Sequence, residues 1–166
     1  VVDGVTWTVI DTLPTGRMPN AVAVDAATRR VYVSNRLSHD VTVIDGNTRA
    51  VVATVPVGEF PWGIAVDPGT RKVYVANAGP STVSIIDGNT NTVVQSVPVG
   101  ERPTAIAINT ATHTAYVVNT NAQNVSIIGP SFDVVATIPI AGPDLTASTP
   151  ITIAIDPVTQ FVYVAG

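Results

Sequence analysis

The chain has 166 residues, 46% of them apolar and 12% charged, with a net charge of −4 and no cysteine. That length suits one domain with a sizeable core, and eight scattered Lys and Arg residues give no electrostatic footprint for nucleic acid. Lack of cysteine removes disulfides, thiolate metal sites, thiol nucleophiles and Cys-x-x-Cys-His haem attachment together, and no apolar run approaches the roughly 18–20 residues that span a bilayer.

Val, Ile, Thr and Ala dominate, punctuated by Pro and Gly, which favours strands and tight turns. In chain order, "VVDG" at the start matches "VIDG" at 43–46, and "TVIDTLPTG" (8–16) matches "AVVATVPVG" (50–58). The opening residues therefore read as the end of a third strand followed by a fourth. Next come four versions of one seventeen-residue stretch: "PNAVAVDAATRRVYVSN" (19–35), "PWGIAVDPGTRKVYVAN" (61–77), "PTAIAINTATHTAYVVN" (103–119) and "PITIAIDPVTQFVYVAG" (150–166). Tyr32, Tyr74 and Tyr116 lie 42 apart, and Tyr163 follows after 47. Gly16, Gly58, Gly100 and Gly142 keep 42 throughout, so five extra residues fall between Gly142 and Pro150.

The second unit shows the predicted elements most clearly. "GIAV" (63–66) is a first strand, and Asp67-Pro68-Gly69-Thr70 a turn whose side-chain oxygens accept from nearby backbone N–H groups. "KVYVAN" (72–77) is a second strand with Val73 and Val75 on one face and Tyr74 on the other. "TVSIID" (82–87) is a third, ending in a hairpin turn where Gly88 and Asn89 are expected to supply positive φ. "TVVQSVPVG" (92–100) is a fourth, closed by Pro98 and Gly100 as befits an outer edge. No segment holds a helical period over ten or more residues.

A period near 42 residues made of short strands predicts an all-β fold, a β-propeller of about four four-stranded blades or an arc of a larger ring of about seven. The whole of 1–166 is one such domain or segment. Its units run about 16–57, 58–99 and 100–141, with 142–166 and 1–15 as complementary half-blades. Because the chain opens at Val1, it is expected to be a processed or excised product. Three arrangements stay open: closure of one chain, a ring of two chains, or blades supplied from elsewhere in a longer protein.

"VYVSN", "VYVAN" and "AYVVN", each followed by strands such as "VTVIDGNT" and "VVATVPVG", closely resemble the YVTN family of β-propeller repeats over essentially the whole chain. Gly129 and Pro130 depart from the Asp-Gly turn, and Gly166 replaces the last Asn. The resemblance implies an extracellular, cell-surface or periplasmic protein, in rings usually of seven blades.

Function is sought where the repeats differ, because shared positions build blades and divergent rim loops are free to bind. Those loops carry Arg17, Arg36, His39, Phe60, Trp62 and Arg102. Two aromatics flanking Pro61 suit a sugar ring or a protein anchor; the plainer reading has Trp62 packing on a neighbouring blade. The arginines, with Glu59 and Glu101, read as a polar binding surface or as solvated charges in weak pairs. His39 beside Asp40 is a candidate general base, although adjacent turn residues usually point apart. His113 reads as a solvent-facing turn residue. Asp25, Asp67 and Asp156, with Asn109 in the same slot, recur once per unit as turn caps rather than as a calcium loop. Asn124-Val125-Ser126 is an N-glycosylation pattern.

The expected function is thus a noncatalytic extracytoplasmic module, a scaffold or adhesion surface that binds a protein or carbohydrate through its variable rim. No metal, cofactor, nucleic acid or membrane insertion is expected. The alternatives are a propeller enzyme of lyase or oxidoreductase type, and a structural subunit that self-associates through blade edges.

Overall fold

A computed structural model describes residues 1–140 and 150–166; the long loop between Gly142 and Pro150 lies outside the described residues. Three four-stranded antiparallel sheets follow one another. The first holds β1 (Pro19–Asp25), β2 (Arg30–Asn35), β3 (Asp40–Asp45) and β4 (Ala50–Pro56). The second holds β5 (Pro61–Asp67), β6 (Lys72–Asn77), β7 (Thr82–Asp87) and β8 (Thr92–Pro98). The third holds β9 (Pro103–Asn109), β10 (Thr114–Asn119), β11 (Asn124–Ile128) and β12 (Val134–Pro139), and β13 (Thr152–Ile155) pairs with β14 (Val162–Ala165). Each sheet is a meander in sequence order, with β1, β5, β9 and β13 side by side on the inside.

The second and third strands of the second unit fall where the residue alternation puts them. The first is longer than expected, because Pro61 already pairs with Asn77 across a register shift. Equivalent shifts break the ladder between third and fourth strands at Val43/Ile44, Ile85/Ile86 and Ile127/Ile128. A bulge at the same place in all three four-stranded sheets adds local twist, and stacked sheets in a radial fold need that twist.

The core lies between sheets. Tyr32, Val41, Val43 and Val55 of the first sheet pack against Ile64, Val73, Val75 and Ile86 of the second. One repeat later, Tyr74, Val83, Ile85 and Val97 pack against Ala115, Val117 and Ile128. Both faces of the second sheet are therefore apolar, which is why its strands are rich in Val and Ile on both sides of the pleat. Each fully buried Val or Ile contributes roughly 1.5–3 kcal/mol.

This stacking leaves two faces bare. Val22 and Val24, at the positions of Ile64 and Val66, are 63% and 56% exposed. Tyr163 is 59% exposed, whereas Tyr32 and Tyr74 are each 1%. Val1–Asp11 forms its own small hairpin, with Val2 bridged to Val9. An ion pair of 3.4 Å from Asp11 to Arg49 Nε tethers it to the first sheet. Among the described residues no backbone pairing joins it to β14.

The turns differ from expectation in one instructive way. Among the described residues no glycine has positive φ and fourteen other residues do, four of them in the second unit: Phe60, Arg71, Ser81 and Asn91. In these four turns the left-handed residue is the last before the next strand, the usual closure of a longer hairpin loop. Gly88 instead serves close approach, since a Cβ there would lie 2.8 Å from the Tyr32 hydroxyl and 3.0 Å from the Arg71 carbonyl oxygen. The Asp caps act as the spacing implied. Asp67 accepts from the Gly69 N–H at 3.1 Å and the Thr70 hydroxyl at 2.7 Å, and Asp25, Asp45, Asp87 and Asp156 close their turns likewise.

Asn35, Asn77 and Asn119, which open the second set of rim loops in sequence, are fully buried. Asn77 Nδ2 donates to Thr82 Oγ1 at 3.1 Å and Ser84 Oγ at 2.9 Å, and the other two repeat the pattern. Gly16, Gly58 and Gly100 lie directly against these amides, where a Cβ would sit 2.6–2.7 Å away. The paired repetition of Gly and Asn is therefore one packing device used three times.

Candidate functional site

The rim is built by backbone clamps that recur every 42 residues. Arg36 N–H donates to the Met18 carbonyl at 2.9 Å, Ala78 N–H to Phe60 at 3.1 Å and Thr120 N–H to Arg102 at 2.9 Å. Each clamp ties the loop entering a sheet to the loop between that sheet's second and third strands. The packing of β1 on β5 and β5 on β9 then sets the clamped loops of three consecutive sheets side by side.

Trp62 is the hub. Its carbonyl accepts from Ser34 Oγ at 2.8 Å and Asn20 Nδ2 at 3.2 Å, both in the first sheet. Its indole carries the Arg36 guanidinium 4.5 Å from the ring centroid, and the Arg102 guanidinium lies 5.8 Å away. Arg36, Trp62 and Arg102 belong to three different sheets. Cation–π attraction of about 0.5–2 kcal/mol per pair holds this arrangement. The half-buried ring thus packs on neighbours, as the plainer reading had it, and also presents two cations.

Around it opens a concavity of ≈ 440 Å³, lined by Arg36, Phe60, Trp62, Gly79, Ser81, Glu101, Arg102 and Asn121 among others. Phe60 is 37% exposed. Gly79 keeps the wall open, since a Cβ there would meet Phe60 Cδ2 at 3.2 Å. Glu101 Oε1 accepts from Asn121 Nδ2 at 3.3 Å. Among the described residues no carboxylate oxygen lies within 4.0 Å of Arg36 or Arg102, so the expected rim ion pairs do not form there.

Four of the six rim candidates meet in this concavity: Phe60, Trp62, Arg36 and Arg102. Arg17 does not line it; it is exposed, with its N–H on Ser38 Oγ at 3.0 Å. His39 supports the site from behind. Its Nδ1 accepts the Phe60 N–H at 3.0 Å and its ring stands edge-on to the Phe60 ring, centroids 5.1 Å apart. Asp40 is turned away, its Oδ1 accepting from Asn35 Nδ2 at 2.6 Å. The adjacent pair is therefore not a base and its partner. Glu101, Asn121 and Ser81 join the site; their signal was membership of the same divergent loops.

Two other expectations change. His113 does not face solvent freely: its Nδ1 lies 2.8 Å from Oδ2 of the buried Asp67 in the neighbouring sheet. Asn124 Oδ1 accepts from Asn119 Nδ2 at 2.7 Å, and Ser126 is 1% exposed, so the folded chain holds the glycosylation pattern against its own strands. Among the described residues no group of three or more His, Asp or Glu side chains is placed to hold a metal.

No protein-family profile and no curated protein matches the chain. Its structure is similar to that of the hydrazine synthase of Kuenenia stuttgartiensis, with a TM-score of 0.80 and 23% identity over 92% of this chain and 43% of that one. The fold is a β-propeller. This chain thus spans less than half of that relative's length. In all, 1044 solved chains match, and a likeness so widely shared speaks for architecture rather than activity. Across this propeller the blades differ mainly in their rim loops, where the arginine–tryptophan cluster lies.

Proposed function

We propose that this propeller segment is a noncatalytic binding module of a YVTN-type repeat protein, working outside the cytoplasm through the rim concavity around Trp62. One observation carries the reading: two guanidinium groups from different blades converge on one indole, and among the described residues neither forms an ion pair. Blade-building residues repeat, whereas Arg36, Trp62 and Arg102 each occur once in their slots. A surface that collects unrepeated charged and aromatic side chains in a hollow has the make-up of a recognition site. The repeat motifs support the family assignment, and the location outside the cytoplasm rests on that family. The test is a glycan and peptide array probed with labelled wild-type protein and with Trp62→Ala. Binding lost in the variant, with its β-sheet melt intact, supports the reading; spots bound equally by both proteins overturn it.

A second reading is favoured by the bare blade faces. Val22 and Val24 at one end, and Tyr163 at the other, occupy positions that are covered by the adjacent blade wherever a blade is present. The surface that fits each face is therefore another blade of this repeat, and a second copy of the chain presents one. Light scattering checks this through the native mass. A 17.2 kDa monomer at all concentrations, unchanged by Val24→Asp, would sink self-association.

A further inference from the structure

We infer that the rim concavity is shaped for a sugar bearing one carboxylate, a uronic acid or a short uronate chain. This deepens the binding reading above and rests on it.

The argument runs through what each wall requires. Arg36 and Arg102 demand an anion, and their planar forks match a carboxylate bidentately. Glu101 lines the same hollow and demands the opposite, a hydrogen-bond donor, while repelling any ligand with several negative charges. Its amide neighbour Asn121, bonded to it at 3.3 Å, offers further polar contact at the same wall. Inorganic phosphate satisfies the arginines, but its dianion opposes Glu101 and it presents no C–H face to Phe60. A neutral sugar brings hydroxyl donors but leaves both guanidinia unpaired. A uronate carries one carboxylate and several hydroxyls, and so meets both demands.

The aromatic walls fit the same ligand. Arg36 already covers a face of Trp62, so the indole serves to fix the guanidinium rather than to stack a sugar. The stacking surface is Phe60, which is 37% exposed and held by the His39 contact to its backbone N–H and ring. The C–H face of a pyranose suits such a ring. A hollow of ≈ 440 Å³ falls within the roughly 300–1,000 Å³ usual for small-ligand sites.

The experiment uses a Trp7→Phe background, which leaves Trp62 as the one indole of the chain's two. Its fluorescence is titrated with glucuronate and with a galacturonate trisaccharide, against glucose and inorganic phosphate. Saturable change with the uronates, little with glucose, and at least tenfold weaker response to phosphate is expected. Arg36→Gln and Arg102→Gln should each weaken uronate binding about tenfold or more, as loss of one charged hydrogen bond implies. Phe60→Ala should weaken glucuronate binding while leaving any response to phosphate unchanged. Phosphate binding as tight as uronate, or uronate binding indifferent to both arginine substitutions, overturns the inference. Absence of any uronate response, with Trp62-dependent array capture retained, also overturns it and leaves the rim reading standing. Loss of both ends both.

Discussion

The imidazole of His113, on the first hairpin turn of the third blade, reaches back to the carboxylate of Asp67 in the second, Nδ1 to Oδ2 2.8 Å. Asp67 is fully buried, and its remaining partners are the Gly69 N–H and the Thr70 hydroxyl of its own turn. Gln160 makes the corresponding reach from the next unit to Asn109. These bonds latch neighbouring blades at the side of the molecule away from the candidate site. His113→Ala should cost about 1–2 kcal/mol and lower the melting midpoint by roughly 3–6 °C. A thermal melt identical to wild type would show that the latch carries no stability.

Gly63 lies where two inner strands nearly touch. A Cβ there would stand 2.7 Å from the Thr104 carbonyl oxygen and 3.0 Å from Ala105 Cα, both backbone atoms that cannot swing aside. Gly63→Ala should therefore destabilise by about 1–3 kcal/mol, the usual cost of overpacking. Urea unfolding with an unchanged midpoint would refute the close approach.

Asn77 ties the end of one strand to the start of the next through two side-chain hydroxyls, with Gly58 packed on its amide. Asn77→Ala removes both bonds and leaves a void, at a cost of about 2–4 kcal/mol. Ser84→Ala removes one bond and almost no volume, so its effect should be the smaller. Equal chemical-denaturation midpoints for the two variants would contradict this ordering.

Stability should fall away at both ends of the pH scale for separate reasons. Lys72 Nζ lies 2.8 Å from Asp87 Oδ2 and, with the Asn89 and Thr90 N–H groups, holds that carboxyl down at about 2. A carboxyl lower in the folded than the unfolded chain stabilises above about pH 4 and stops doing so as pH falls through about 2. Lys72→Met should shrink this acid-side loss. Burial, with Asp67 adding in the same direction, pushes the Tyr74 hydroxyl up to about 12. The unfolded chain releases this proton near pH 10, so stability should decline between about pH 10 and 12. Tyr74→Phe should flatten that limb. Urea midpoints measured from pH 2 to 12 read both effects; identical profiles for wild type and variants would refute them.

Strand placement was legible because alternation and turn chemistry repeat within one chain, and "KVYVAN" and "TVSIID" needed no tertiary information. The Asp caps were legible for the same reason: their partners lie two and three residues ahead. What the sequence concealed were contacts between blades. His113 looked free because its partner sits 46 residues back, and only the polar slot shared by Arg29, Arg71, His113 and Gln160 hinted otherwise. Asn35, Asn77 and Asn119 looked like loop residues because amides usually are, although their shared spacing with Gly16, Gly58 and Gly100 carried the packing signal. Arg36 and Trp62 stand 26 apart in sequence, and only the stacking of one blade on the next brings them together.

The left-handed turn residues have a consequence for how the surface can change. A non-glycine side chain in that conformation costs about 1 kcal/mol relative to glycine, yet Met18, Phe60 and Arg102 share one such slot and His39, Ser81 and Gln123 another. Both slots lie on the rim, and three of these residues, Phe60, Ser81 and Arg102, wall the concavity. Glycine would be the easier choice for the backbone at every one of them. The chain instead displays a different chemical group at each blade, on a loop geometry indifferent to which group it carries. Exchanging those residues rewrites what the rim presents and leaves the frame beneath it untouched.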